Sequence, residues 1–360
     1  MKTTKHYLVL GLALIFFAAG CKKDNPKPVD NTPAPAGGYS SGIFITNEGP
    51  YGSGTGTVSF YNRSPGAVSN DIFQTANSVP LGNIVQSMSV FNGKGYVVVN
   101  NASKMEVVNI SDFKSTASIT GLNQPRYFLG IDNNKGYVTE WGSTGTNGAV
   151  RVINLTNNTI SSTITTGAGA ENMVKVNNFV YVACKGGYAN DSVVTVINTT
   201  TDAVTTNINV GSNPGSLQVD ANGKIWVLCG GEWNSGYTAL VKASKLVRIN
   251  PTTNTVEQTF TFSSTTSSPS NLNINGAKNK LYYNYQGSVY TQDISATNLS
   301  STGFINRSFY GLGVDPTTDY VYGADAGNYS SNGYVIRYNT AGVKVDSMQV
   351  GVIPGGFFFN

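Results

Sequence analysis

From about residue 42 onward, apolar and polar residues alternate in short runs, as in Val194-Thr195-Val196-Ile197. A period of two puts every second side chain on the same face of a pleated strand, so these runs predict half-buried β-strands. Asn-Asn, Asn-Gly and Gly-Ser-Asn-Pro separate them. Gly and Asn tolerate positive φ and Pro cannot continue a ladder, so these are turns. One phrase recurs: an apolar–aromatic–apolar triplet, a turn, an alternating strand, a second turn and another alternating strand. Its aromatic falls at Phe44, Tyr96, Tyr137, Tyr181, Trp226, Tyr282 and Tyr322, at spacings of 52, 41, 44, 45, 56 and 40 residues. The fourth unit shows the grammar, with strands predicted over 171–176, 179–184, 192–198 and 203–210, here called A to D.

Periods of about 40–50 residues are those of propeller blades. The body opens at Gly42-Ile43-Phe44-Ile45-Thr46-Asn47, which has the pattern of a strand B. It ends at Ile353-Pro354-Gly355-Gly356-Phe357-Phe358-Phe359, which matches a strand A such as Pro214-Gly215-Ser216-Leu217. The C-terminal strand should therefore complete blade 1 and close the ring, leaving no open edge between first and last blades. The expected fold is an all-β, seven-bladed β-propeller over residues 42–360. A β-helix would need a much shorter period. A pair of β-sandwiches would not give such regular turn spacing without a linker in mid-chain.

The N-terminus lies outside this pattern. Residues 1–20 carry Lys2 and Lys5, then an apolar run from Leu8 to Ala19 that is too short to span a bilayer. That is a secretory signal. Ala18-Ala19-Gly20-Cys21 resembles a bacterial lipobox, so Cys21 is the expected acylation site; an ordinary secreted protein with a chance cysteine is the alternative. Residues 21–41, with Pro26, Pro28, Pro33, Pro35, Gly37 and Gly38, read as a tether that cannot form a core. Charged residues make up only 12% of the chain, and losing the leader leaves basic and acidic residues nearly balanced. No basic stripe exists to bind nucleic acid.

In a four-stranded meander the B–C and D–A connections emerge at one end. The first residues of the inner A strands then rim the central channel. These positions are Gln86, Arg126, Glu171, Gly215, Ser270, Tyr310 and Gly355. The B–C loops of blades 1, 3, 4, 5 and 7 are long and carry Tyr51, Trp141, Tyr188, Trp233, Tyr237 and Tyr329, with Tyr285 at the short equivalent in blade 6. The opposite end has tight turns such as Asn92-Gly93 and Asn222-Gly223. Long aromatic loops at one end only predict a binding face, since such rings stack on flat ligands at low entropic cost. Any one of them could instead pin its own loop. Arg126 and Glu171, at matching positions in neighbouring blades, should form a structural ion pair or anchor a polar ligand.

The only histidine, His6, lies in the leader. The mature chain therefore has no Ser-His-Asp triad and no His-ligated metal. Oxygen ligation of Ca²⁺ near Asp315 and Asp325 stays open, although Asp315-Pro316 is more simply a turn. Gly52-Ser53-Gly54-Thr55-Gly56 precedes no helix and makes a weak phosphate cradle. Cys184 and Cys229 hold the same position in neighbouring blades. Export permits a disulfide, but blades splay apart, and two buried free thiols are expected. No catalytic residue, metal or cofactor is implied.

Several stretches carry a family resemblance: Thr46-Asn47-Glu48-Gly49, Pro80-Leu81-Gly82-Asn83 with Gln86-Ser87-Met88, Tyr96-Val97-Val98-Val99-Asn100-Asn101, Gln124-Pro125-Arg126-Tyr127, Tyr310-Gly311-Leu312-Gly313-Val314-Asp315-Pro316, Ala324-Asp325-Ala326 and Ile353-Pro354-Gly355-Gly356-Phe357. Across residues 42–360 the chain resembles the YncE-like propeller lipoproteins of Bacteroidetes, also described as DUF5074 or surface-layer proteins. Within them it is most similar to the cobalamin-capturing BtuG type. The resemblance implies an outer-membrane, cell-surface lipoprotein that passes a corrinoid (vitamin B12) to a TonB-dependent outer-membrane transporter. Only Asp24 follows Lys22-Lys23, where surface lipoproteins of this phylum usually carry an acidic cluster. A glycan would suit the same amide- and hydroxyl-rich face. A scaffold or adhesion role, or a metal-dependent lactonase using Glu171, are the other readings.

Overall fold

The computed structural model describes residues 38–39, 41–64 and 66–360. The leader, Cys21 and most of the tether lie outside the described residues. Seven antiparallel sheets follow one another, and the inner strand of each packs against the inner strand of the next until the ring closes. The fourth blade has the expected grammar: Ala170–Val176, Phe179–Cys184, Val193–Asn198 and Ala203–Asn209.

Closure occurs where the sequence placed it. Pro354–Phe359 is the inner strand of blade 1 and pairs with Gly42–Asn47, Ile43 opposite Phe359 and Ile45 opposite Phe357. The two ends of the ring are tied by reciprocal bonds, Gly42 N to Asn360 O at 3.2 Å and Asn360 N to Gly42 O at 2.9 Å. Both strand ends lie at the face opposite the long loops.

The recurring aromatics hold blade to blade. All seven are buried. The Tyr137 hydroxyl bonds Asp202 in the C–D turn of blade 4, and Tyr181 donates to Asn254 Oδ1 in that of blade 5 at 2.6 Å. Tyr96 stacks on Phe128 of blade 3 with ring centroids 3.9 Å apart. A further repeat sits at the end of strand C: Asn62, Asn109, Asn154, Asn198, Asn250, Asp293 and Asn339. Each accepts a bond from the backbone N–H two residues on. Such Asx turns fix the C–D corner without requiring glycine.

Three departures from the expected pattern have local causes. The outer strand of blade 1 stops at Ser69 and a short helix, Ile72–Asn77, takes over, burying Ile72 and Phe73 where alternation gives way to adjacent apolar residues. Blade 6 has three strands. Its following segment lacks alternation, makes a single bridge from Val289 to Ile305, and packs through Ile305, Phe309 and Phe304. Tyr39, assigned to the tether, is buried against Phe44, Phe60 and Phe113, with centroids 5.0 Å from Phe60. The folded body therefore begins earlier than residue 42. Cys184 and Cys229 are free and buried, and burial raises their thiols to about 11 and about 12.

Candidate functional site

Five of the seven inner strands enter the ring through the same backbone device. Two residues before the rim position, the chain is left-handed in five blades: Ile84 (φ 61°), Gln124 (φ 51°), Gly169 (φ 61°), Asn213 (φ 58°) and Ile353 (φ 56°). The rim residue then falls where pairing with strand B slips, between Val85 and Ser87, Pro125 and Phe128, Ala170 and Met173, Pro214 and Ser216, or opposite Thr46 and Asn47. A bulge re-aims its extra residue and leaves it without a cross-strand partner. Gln86, Arg126, Glu171, Gly215 and Gly355 are lifted out of the ladder in this way. A β-branched residue such as Ile84 or Ile353 at positive φ is strained, by about 1–3 kcal/mol; such strain is concentrated at functional sites.

The rim residues surround a cavity of about 500 Å³ on the ring axis. All seven positions read from the sequence line it: Gln86, Arg126, Glu171, Gly215, Ser270, Tyr310 and Gly355. Its wall is polar further down, with Ser87, Ser89, Asn172, Ser216, Gln218 and Asn273. These side chains also tie neighbouring blades. Ser87 Oγ donates to Arg126 O at 2.7 Å, and Asn273 Nδ2 to Leu312 O at 2.9 Å.

Arg126 and Glu171 form a buried bidentate pair. Nε reaches Oε2 at 2.9 Å and Nη2 reaches Oε1 at 2.8 Å. Trp141 Nε1 adds a bond to Oε2 at 2.7 Å, and the Trp141 ring lies under the guanidinium at 4.3 Å. Arg126 also bonds Gln86 Oε1. Burial pushes the Glu171 carboxyl upward, but Arg126, Lys185 and the Trp141 bond outweigh it and hold the group below its usual value. Both carboxylate oxygens are thus occupied.

The loop aromatics divide into groups. Trp141 stands edge-on to the exposed Tyr188, centroids 5.6 Å apart, beside Arg126, and neither ring lines the central cavity. Tyr310 stands edge-on to Tyr329 at 5.8 Å and with it lines a second hollow of about 420 Å³ beside Asp325. Tyr51 and Tyr237 project outward, each 80% exposed, and do not line the central cavity. Trp233 lies half-buried on a small hairpin, Glu232–Trp233 with Leu240–Lys242, also outside the cavity. Tyr285 does not reach the face. It is buried against Phe262 at 4.7 Å, and its hydroxyl accepts from Ser264 N at 3.0 Å. The short blade-6 loop leaves it on strand B, where alternation turns it inward. Asp315, weighed as a Ca²⁺ ligand, is buried and paired with Arg63 at 3.0 Å.

Two charged residues of the cavity were missed. Glu48 accepts from the Tyr310 hydroxyl at 2.9 Å, and burial raises its carboxyl above the usual value. Lys185 lines the cavity from blade 4. The signal was present in the repeat. Glu48, Trp141 and Lys185 each stand four residues after the recurring aromatic, at the first position beyond strand B.

A family model described as "Domain of unknown function (DUF5074)" matches residues 41–360. No curated protein matches the chain. Among solved structures, the chain is similar to a quinonprotein alcohol dehydrogenase-like protein from Bacteroides thetaiotaomicron (15% identity, TM-score 0.65, covering 89% of this chain and 79% of that one). It is also similar to a protein provisionally described as a 6-phosphogluconolactonase from Bacteroides uniformis (11% identity, TM-score 0.65, covering 89% and 99%). Hydrazine synthase of Kuenenia stuttgartiensis matches at 15% identity and TM-score 0.53, covering 70% and 75%. At these identities the likeness speaks for the fold alone.

Proposed function

The chain belongs to the DUF5074 family, and on that premise we propose that it is a surface lipoprotein that captures a ligand at the mouth of the propeller. The observation that carries this reading is the repeated left-handed turn and bulge. In five blades a left-handed residue and a bulge turn the rim position toward the same cavity, and in two of them the left-handed residue is a strained isoleucine, Ile84 or Ile353. The residues so aimed are suited to holding rather than transforming. Glu171, the carboxylate considered for an enzyme, has both oxygens bonded by Arg126 and Trp141.

A corrinoid fits the chemistry of this mouth. Its broad, amide-rich rim would meet the amides and hydroxyls of the channel wall, with Trp141, Tyr188 and Tyr310 as flanking rings. Acylation at Cys21 would anchor the protein at the face opposite the mouth, where Gly42 enters the ring. A TonB-dependent transporter is the proposed recipient. Calorimetric titration of residues 22–360 with cyanocobalamin tests the reading. Sub-micromolar affinity is expected, weakened about tenfold by Trp141→Ala and little changed by Trp233→Ala. An absence of heat and of any thermal shift would remove the corrinoid and leave a glycan as the ligand to seek.

A further inference from the structure

Two of the seven rim positions are glycine, and each is overlain by a charged side chain from a top loop. The stem of Lys185 crosses Gly215, with Cδ and Cε 3.6 and 3.8 Å from where a Cβ would stand. Glu48 Oε1 lies 3.2 Å from the corresponding point at Gly355. Gly215 is the second residue of the inner strand of blade 5 and Gly355 that of blade 1, well separated around the ring. A Cβ at Gly215 would meet the Lys185 stem at ordinary van der Waals distance, and one at Gly355 would crowd Glu48.

The other charges of the cavity are spent. Arg126 and Glu171 neutralise each other, with Trp141 completing the carboxylate's bonds. Glu48 is engaged by Tyr310. Lys185 is exposed and lines the cavity; its backbone N–H bonds Gly169 O at 2.9 Å, but its ammonium makes no hydrogen bond or ion pair among the described residues. Within the fold its charge acts only at a distance, helping Arg126 to keep Glu171 ionised, and its ammonium is left open toward the cavity.

We propose that Lys185, laid over Gly215, is the seat for an anionic group of the captured ligand, a phosphodiester or a carboxylate, while Glu48 and Tyr310 face its neutral, hydrogen-bonding end. The mouth is then polar in direction as well as composition, and the ligand enters in one orientation. This deepens the reading of the mouth as a capture site and rests on it.

The test has two arms. Lysines of residues 22–360 are reductively ¹³C-methylated, which keeps their charge, and the Lys185 signal is identified by its loss in Lys185→Gln. Titration with dimethyl phosphate and with acetate should move that signal more than those of Lys94 and Lys114, which lie away from the cavity. Equal movement of all three with both anions overturns the inference. In the second arm, cyanocobalamin is compared with dicyanocobinamide, which lacks the phosphodiester. Lys185→Gln should weaken cyanocobalamin about five- to tenfold and leave dicyanocobinamide unchanged; equal loss for both would also overturn it. Binding of neither corrinoid, with the selective Lys185 shift intact, would refute the corrinoid and retain the anion seat.

Discussion

Arg126 is the residue on which most of the mouth depends. Its guanidinium is bonded to Glu171 and Gln86 and stacked on Trp141, and the Glu171 side chain is only 5% exposed. Removing one member of a buried pair leaves the other charge uncompensated, typically at 3–5 kcal/mol. Arg126→Ala should lower unfolding free energy by about 3 kcal/mol in urea, while Lys185→Gln should leave it within about 0.5 kcal/mol. The pH dependence follows from Glu171. Its folded-state value is depressed below 4.5, so its stabilisation is complete above that value and is lost as pH falls through the folded-state value. Urea midpoints at pH 6 and pH 3 should therefore converge more in Glu171→Gln than in the native chain. These contacts were only partly legible. The Arg126–Glu171 pairing follows from matching rim positions, but the role of Trp141 beneath it needed the loop conformation.

At the scale of the element, the last strand is the most consequential. A chain ending at Ile353 would lose Pro354–Phe359, the strand that pairs with Gly42–Asn47 and packs Phe357 and Phe359 against Tyr322. It should fail to fold or lose cooperativity in thermal melts; a melting temperature equal to that of the full chain would refute closure through this strand. Turn chemistry and alternation made most strands readable. They failed where alternation ended, at the Ile72–Asn77 helix and the missing outer strand of blade 6. There, tertiary packing of Phe73, Ile305 and Phe309 chose the conformation. The bulges were not legible, because each falls just after the first paired residue of an inner strand, where no alternating run precedes it to show the break in period.

For the whole molecule, the ring sets the relation between ends and mouth. The first strand enters at Gly42 and the last ends beside it at Asn360 on one face, and the lined cavity opens on the other. A ligand that touches several inner strands binds only the closed ring. Cyanocobalamin at a hundredfold excess over Kd should therefore stabilise the fold by about 2.7 kcal/mol. For a body of this size that raises the melting temperature by about 4 °C. Trp141→Ala should reduce that shift at the same ligand concentration, which differential scanning fluorimetry can read.

By itself, the sequence determined the number of blades, the strand that closes the ring and the seven residues that rim the channel. Each follows from a short-range rule: a period of two along strands, turn residues at fixed offsets, and a repeat that carries register from blade to blade. It also pointed to one end as the binding face. Only the tertiary structure decided which loop residues reach the mouth. Tyr285 is turned into the core, Tyr51 and Tyr237 point away from the cavity, and Glu48 and Lys185 fold inward over two glycines. Loop direction is fixed by contacts between neighbouring blades, such as Tyr188 N to Gly145 O at 2.9 Å. Those contacts join residues far apart in the chain, and no local pattern encodes them.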